Sequence, residues 1–180
     1  MQLKETTISS REVYRCPVFR VTENTVLLPN GKTAPRDCVL HNGGSGVLPI
    51  ADNGDVILVE QYRYGVGMPL IEIPAGKLEA GEDPAVCAMR ELGEEVGGKT
   101  DELIPLGSIA VTPAYDSEII YIYLARCNDF AEQHLDEDEF LKIHRIPLAK
   151  ALEMVLDGTI TDAKTQIALL KAEKILRLSR

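Results

Sequence analysis

Three glutamates, Glu91, Glu94 and Glu95, lie close together in a stretch whose residues are typical of a helix. A helix turns by about 100° per residue, so side chains three and four positions apart project from one face. Like charges at these spacings repel, and carboxylates near a helix C-terminus oppose the macrodipole. Clustered carboxylate oxygens suit a hard divalent cation that retains water ligands for a phosphate substrate. The alternative is a solvated acidic face, which is the interpretation that a glutamate-rich helix favours when only its residue types are considered.

The residues around the glutamates predict a glycine loop followed by a helix with defined ends. Asp83 is a favourable N-cap and Pro84 suits the first helical position. Gly97 with Gly98 is typical of a helix C-terminus. Apolar residues at helical spacing predict the buried face, and these are Ala85, Ala88, Met89, Leu92 and Val96. The glutamates are therefore expected on a face beside this apolar stripe.

The whole stretch resembles the signature of the Nudix hydrolase family. Gly76 is followed after five residues by Glu82, and after seven more by Arg90-Glu-Leu-Gly-Glu-Glu-Val-Gly, which matches every fixed position of that signature. Gly98 departs from it, because the family usually has an aliphatic residue there, and we expect this glycine to loosen the helix end without affecting the chemistry. A match of this length is far more specific than a short glycine motif.

The resemblance implies hydrolysis of a nucleoside diphosphate linked to another group, with Mg²⁺ or Mn²⁺ as the cofactor. The metal ligands that it implies are Glu91, Glu95, Glu94 and the backbone carbonyl of Ala75. Arg90 is expected to pair with a glutamate of its own motif, such as Glu82, and so to hold the helix against the loop. That role is structural, with consequences for catalysis.

A base for the attacking water can come from either of two acidic segments outside the helix. By composition alone, the run Asp136-Glu137-Asp138-Glu139 is more typical of a solvated loop. It is similar, however, to the mobile loop that carries a catalytic glutamate in the ADP-ribose pyrophosphatase group of the family. That resemblance implies Glu137 first and Glu139 second. Glu118 is the other candidate, in a segment that resembles the same group's metal- and substrate-side loop.

Candidate substrate-binding residues are Tyr62, Arg63, Pro113 and Glu118. Arg63 follows a predicted strand, and it is either a surface arginine or a bidentate clamp for phosphate. Pro113 matches a proline that the ADP-ribose group carries about fifteen residues beyond the signature. Ala114 stands where that group has glycine, so the conformation of this loop is left open.

The resemblance implies a specific reaction, the cleavage of ADP-ribose to AMP and ribose 5-phosphate. The nearest alternative substrates are other nucleoside diphosphate sugars, such as GDP-mannose and UDP-glucose. A non-catalytic, nucleotide-binding protein with the same fold is a further alternative. Such proteins usually lack the glutamates of the signature, whereas Glu91, Glu94 and Glu95 are all present here.

Strands interleaved with helices predict an α/β fold, and the resemblance implies a Nudix-type α/β/α sandwich with a mixed sheet. Residues 1–45 predict a small N-terminal β arm, with one strand alternating from Tyr14 to Thr22, another from Thr25 to Leu28, and a hairpin turn at Asn30-Gly31. The glycine-rich segment at residues 42–46 separates this arm from the catalytic domain at 46–180. Because the arm is too small for its own core, we expect it to lie on the main domain or on a partner subunit in a homodimer, as in the resembling group.

Composition limits the class of protein. The 180 residues are 45% apolar and carry a net charge of −9, which argues against a nucleic-acid groove. No apolar run is long enough to span a membrane, and the N-terminus lacks the apolar region of a signal peptide. The four cysteines form no CxxC pair, which favours free thiols in a reducing cytoplasm.

Overall fold

The computed structural model describes residues 3–178, which divide into two compact units. The first unit extends to Gly43 and also includes Ala110–Ile119. The second comprises Gly44–Ile109 and the chain from Ile120 onwards. The Nudix signature therefore lies entirely in the second unit.

The first unit contains a three-stranded antiparallel sheet, formed by β1 (Thr6–Arg15), β2 (Phe19–Leu27) and β3 (Thr33–His41). The predicted hairpin turn is confirmed, since Asn30 and Gly31 lie between β2 and β3 and Gly31 has a φ of 81°. Such a positive φ favours glycine. Within β1–β3 only Thr22 and Val26 are buried, so this sheet has almost no core of its own.

The prediction of one continuous strand from Tyr14 to Thr22 is wrong. The chain reverses at Cys16–Val18, and the amide of Cys16 donates a hydrogen bond to the carbonyl of Phe19 at 2.9 Å. Arg15 and Arg20 consequently face each other as the first pair of a β-hairpin. Pro17 has no amide hydrogen for a sheet ladder, which explains why the alternation of side chains does not continue as a strand.

The second unit is built on a mixed sheet. The strands of this sheet are β4 (Gly44–Ala51), β5 (Asp55–Arg63), β6 (Met68–Glu72), β7 (Ala75–Lys77), β9 (Leu103–Ala110), β10 (Ile119–Cys127) and β12 (Leu141–Pro147). Two short strands, β8 (Gly98–Lys99) and β11 (Asp129–Phe130), form a separate antiparallel pair. The order is β12-β5-β4-β10-β9, with β6 paired to β5 and β7 paired to β4. Strands β4 and β10 are parallel, whereas β5 is antiparallel to β4, β6 and β12.

Three helices cover the two faces of this sheet, and they are α1 (Pro84–Val96), α2 (Leu148–Leu156) and α3 (Ala163–Leu178). Successive residues of a strand face opposite sides, so each central strand contributes to two cores. Val47 and Ile57 pack in the core that contains Leu92 of α1. Leu48 and Leu58 pack in the core that contains buried residues of α2 and α3. The predicted α/β/α sandwich is thereby confirmed.

The three helices give no candidate for a membrane span. Over residues 3–178, none of them combines the length and the apolar character that a bilayer crossing requires.

Candidate active site

Helix α1 has the ends that its sequence predicts. The carboxylate of Asp83 accepts a hydrogen bond from the amide of Ala85 at 2.8 Å, and Pro84 occupies the first turn. Gly97 ends the helix in the left-handed conformation, with a φ of 63°. These local signals set the register of the helix and thus the direction in which each glutamate projects.

The buried face of α1 differs from the predicted apolar stripe. Met89 is 40% exposed, whereas Glu91 and Glu95 are only 7% and 3% exposed. Two carboxylates thus occupy positions on the inner face of the helix. The predicted stripe is wrong at Met89, because polarity alone does not decide which side chains are buried where a site requires buried carboxylates.

Gly76 makes room for one of these carboxylates. It lies in β7, and a Cβ atom on Gly76 would be 1.6 Å from Oε1 of Glu91. Any larger residue would therefore displace the glutamate. The first glycine of the signature has a steric purpose, which is to let the carboxylate of Glu91 approach the backbone closely.

Glu95 is held in a strongly perturbed environment. Its pKa is raised to about 8, mainly by burial and also by the negative charges of Glu91 and Glu139, while a backbone hydrogen bond at Ala75 acts in the opposite direction. Burial also raises the pKa of Glu91. Among the described residues, Oε2 of Glu95 has no hydrogen-bond partner. A buried carboxylate oxygen without a partner, beside a second buried carboxylate, is suited to a cation.

Arg90 is the centre of an ion-pair cluster on the signature itself. Its guanidinium lies 3.2 Å from Glu82, 2.6 Å from Glu91 and 3.0 Å from Glu94. The predicted pairing of Arg90 with Glu82 is confirmed, and it connects the loop to the helix. Glu94, with a half-exposed side chain, is directed to Arg90. Glu91 and Glu95 are therefore both buried on the inner face of α1, whereas Glu94 is more exposed and pairs with Arg90.

The donor set fits an oxygen-loving divalent ion. No group of three or more His, Cys, Asp or Glu side chains within residues 3–178 is arranged to hold a metal by itself. The carboxylate of Glu95 lies beside the backbone of Ala75, and that of Glu91 lies against the next residue, Gly76. Mg²⁺ is commonly bound through one or two carboxylates while it keeps waters and substrate phosphates as its other ligands. The residues present therefore fit such an ion.

The acidic run between β11 and β12 forms a loop with no regular structure beyond a turn, in which the amide of Glu139 donates to the carbonyl of Asp136 at 3.0 Å. Glu139 is partly buried, and its charge raises the pKa of both Glu91 and Glu95. Glu137 is exposed. Within this run, Glu139 combines partial burial with a charge that acts on both paired carboxylates.

The segment that leads into this loop closes the C-terminal end of α1. The last carbonyl groups of a helix lack donors within the helix. Two donors of this segment satisfy such carbonyls: the amide of His134 donates to the carbonyl of Glu94 at 2.9 Å, and Nε2 of Gln133 donates to the carbonyl of Glu95 at 2.5 Å. The amide of Ala131 also donates to the carbonyl of Gly97, the residue that caps the helix, at 2.8 Å. The root of the acidic loop is therefore attached to the helix that carries the paired glutamates.

Gly98 does not loosen the helix end, contrary to expectation. It lies in β8 opposite Phe130 of β11 and is buried. A Cβ atom there would be 2.6 Å from Cδ1 of Leu92, closer than side chains tolerate. Gly98 consequently permits close packing of the short β8–β11 pair against α1.

Arg63 lies at the end of β5 and is engaged by an acidic side chain. Its Nε and Nη2 atoms donate to the two carboxylate oxygens of Glu72 at 2.7 and 2.8 Å. The side chain of Arg63 remains 40% exposed. Its pKa is raised first by the hydrogen bond that it donates to Glu72, and the charge of Glu95 also contributes. Tyr62 is exposed. Sequence reasoning missed Glu72, because no local pattern links it to Arg63.

Pro113 and Glu118 belong to the first unit. Their segment is attached to β3, since the amide of Val39 donates to the carbonyl of Tyr115 at 2.7 Å. The carboxylate of Glu118 lies 3.5 Å from Nδ1 of His41. Sequence reasoning also missed His41, which is separated from Glu118 by a long stretch of chain.

Two family matches cover most of the chain. Residues 40–168 match the family described as NUDIX domain. Residues 5–39 match the family described as nucleoside diphosphate sugar hydrolase N-terminal domain.

Several characterised proteins are similar to this chain over most of its length. The methanol dehydrogenase activator of Bacillus methanolicus is 40% identical, covering 92% of this chain and 90% of its own. The ADP-ribose pyrophosphatase of Bacillus subtilis is 37% identical, covering 93% and 91%. A GDP-mannose pyrophosphatase of Escherichia coli is 31% identical, covering 71% of each chain. Among solved structures, one described as an ADP compounds hydrolase superimposes with a TM-score of 0.86 at 27% identity, covering 99% of this chain and 98% of that one.

Proposed function

The chain belongs to the Nudix hydrolase family, and from this premise we propose that it hydrolyses the diphosphate of ADP-ribose to AMP and ribose 5-phosphate. The observation that carries the proposal is the buried pair Glu91 and Glu95, with one carboxylate oxygen left without a partner among the described residues. The similarity to an ADP-ribose pyrophosphatase over nearly the whole chain supports the choice of substrate.

Glu91, Glu95 and the carbonyl of Ala75 would hold a divalent metal ion, Mg²⁺ or alternatively Mn²⁺, with Glu94 supporting them through Arg90. When bound, the ion supplies positive charge to the nonbridging and leaving oxygens of the diphosphate. Glu95 must be ionised to act as a ligand, and its raised pKa means that it gives up a proton when the site is filled.

The protein's own groups would prepare the water and orient the substrate. A carboxylate of the acidic loop accepts the proton of the attacking water, and its charge at the site favours Glu139 over Glu137 as this base. Arg63 binds a diphosphate oxygen with the exposed edge of its guanidinium. Tyr62, Pro113 and Glu118 are proposed substrate contacts. The water oxygen bonds to phosphorus and the bridging phosphorus–oxygen bond breaks, so both phosphate ester bonds remain in the products.

A panel of substrates tests this proposal. The protein would be assayed with Mg²⁺ on ADP-ribose, GDP-mannose, UDP-glucose and dinucleoside polyphosphates, and the products would be identified by chromatography. We expect AMP and ribose 5-phosphate in equal amounts, with ADP-ribose the preferred substrate. A clear preference for GDP-mannose would overturn the choice of substrate while leaving the reaction class in place.

Two alternatives have specific support. The 31% identical relative named GDP-mannose pyrophosphatase supports another nucleoside diphosphate sugar as the substrate. The 40% identical relative named methanol dehydrogenase activator supports a regulatory role. The second alternative is therefore a regulatory protein of this fold, which would bind a nucleotide without cleaving it. Nucleotide binding without turnover of any substrate in the panel would favour the second alternative.

We further propose a cytoplasmic homodimer. All four cysteines are free thiols, which agrees with a reducing compartment. Strands β1–β3 expose large apolar side chains, including Ile8 and Tyr14, and a second copy of the chain would cover such a surface. Deleting residues 1–40 should then give monomers or insoluble chains. A deletion variant that stays dimeric by light scattering and retains full activity would refute this role of the arm.

A further inference from the structure

Arg63 belongs to a cluster of charged side chains whose other members, Glu72, Lys164 and Asp162, have no part in the chemistry described so far. Glu72, at the end of β6, is 1% exposed, and Lys164, in the first turn of α3, is 9% exposed. A charged side chain buried to this degree is costly unless it is paired. Glu72 and Lys164 are therefore expected to be paired with opposite charges.

Glu72 is shared by two cations. Arg63 donates to both of its carboxylate oxygens, and the ammonium of Lys164 donates to one of them as well. Burial acts to raise the pKa of Glu72, but the hydrogen bond from Arg63 and the charge of Lys164 outweigh it, so this pKa lies below its ordinary value. Glu72 is accordingly ionised, and both cations are paired with the same carboxylate.

The position of Lys164 is itself fixed from α3. Lys164 lies 3.0 Å from Asp162, whose other oxygen accepts from the amide and hydroxyl of Thr165 at 2.9 and 2.6 Å. The hydroxyl of Thr165 accepts from the amide of Ile73 at 2.8 Å. The first turn of α3 is thus attached to the chain that follows β6, next to Glu72.

The charges of this cluster sum to zero, with Arg63 and Lys164 against Glu72 and Asp162. Without Lys164 the sum would be −1, and the single carboxylate of Glu72 would neutralise Arg63. A neutralised guanidinium is a weak ligand for a phosphate anion, because attraction depends on its net charge. Because Lys164 compensates part of the negative charge of Glu72, Arg63 keeps a net positive charge. The exposed edge of its guanidinium can then attract an anion.

We propose that Glu72 and Lys164 are positioning residues for Arg63. Glu72 orients the guanidinium by its two hydrogen bonds, and Lys164 preserves the positive charge with which that guanidinium binds the diphosphate. The proposal rests on the function proposed above. The competing explanation is that the cluster only holds α3 against the sheet, in which case its loss would lower stability without acting through Arg63.

A double-mutant cycle separates these explanations. Kinetics on ADP-ribose would be measured for Lys164→Met, Arg63→Ala and the double variant, with Lys171→Met as the matched control. Lys171 lies on the same helix but binds the backbone carbonyl of Leu106. We expect Lys164→Met to raise KM about tenfold with little change in kcat, as for the loss of a charge-assisted contact. In the Arg63→Ala background the same substitution should leave KM unchanged, and Lys171→Met should behave as wild type. Lys164→Arg should recover most of the lost KM.

An equal rise in KM with and without Arg63 would overturn the proposal, as would an unchanged KM in Lys164→Met. If Lys164→Met does not fold, the pair Glu72→Gln with Lys164→Met removes both buried charges together. Its KM should also rise, and that rise should vanish when Arg63 is replaced. Absence of ADP-ribose turnover by the wild-type protein would instead overturn the proposed function, and the cycle would then be run on the substrate that the panel identifies.

Discussion

Two regions of this protein carry clusters of carboxylates that differ in their physical state. Helix α1 carries Glu91, Glu94 and Glu95, two of them buried. The loop at residues 136–139 carries four consecutive acidic residues, three of them exposed. In the helix, burial raises the pKa of Glu91 and Glu95, and Glu94 pairs with Arg90. In the loop, most of the carboxylates are exposed and solvated by water.

A high density of acidic residues therefore does not by itself identify a metal-binding site. What distinguishes α1 is the rigid frame around its carboxylates, in which Arg90 holds two glutamates and Gly76 leaves room for Glu91. A frame of this kind keeps like charges together, and a cation can then relieve their repulsion. In the loop, Glu139 is partly buried, and its charge raises the pKa of Glu95 within this frame.

The largest expected effect is the loss of a buried carboxylate. Replacing Glu95 with Gln should lower kcat by orders of magnitude while leaving circular dichroism unchanged, because a metal ligand is lost and the shape is kept. Without metal the thermal midpoint should rise, since desolvation of a carboxylate and its repulsion by Glu91 are removed together. Wild-type turnover at ordinary Mg²⁺ would exclude Glu95 from the site.

The next effect contrasts two residues of the loop. Glu139→Gln should lower kcat about 10²- to 10⁴-fold with little change in KM, as expected for a general base. Glu137→Gln, the matched control, should remain near wild type, because Glu137 is exposed. If Glu137→Gln loses activity and Glu139→Gln does not, the base is Glu137 and the loop must move before it acts. If both variants keep wild-type activity, Glu118 becomes the remaining candidate for the base.

The smallest effect is a pH dependence of stability. In the metal-free folded protein the pKa of Glu95 is about 8, against 4.5 for the ordinary carboxyl. Between these values the folded state binds the proton more tightly than the unfolded chain, so stability is greatest below 4.5 and is lost as pH rises towards about 8. Calorimetry should show a thermal midpoint that falls across this window, and Glu95→Gln should flatten the slope. An equal slope in both proteins would contradict the burial of an ionisable Glu95.

Long-range contacts account for what sequence reasoning missed. Glu72 and Lys164 are separated by more than half of the chain, and nothing in either local sequence indicates that they share a buried ion pair. Gln133 likewise carries no signal of its own, although it satisfies a carbonyl at the end of α1. Such contacts arise only when distant elements pack, since polarity and spacing report on neighbours along the chain.

Local sequence patterns are sufficient to predict the family, the mixed α/β fold and both ends of α1, because caps, glycines and helical spacing act over a few residues. They also place Arg90 against Glu82. The packing of distant elements decides which glutamates are buried, brings the charge of Glu139 to act on them, and makes Arg63 share Glu72 with Lys164. Burial and charge pairing depend on how helices and sheet close around a residue, and a linear pattern does not contain that information.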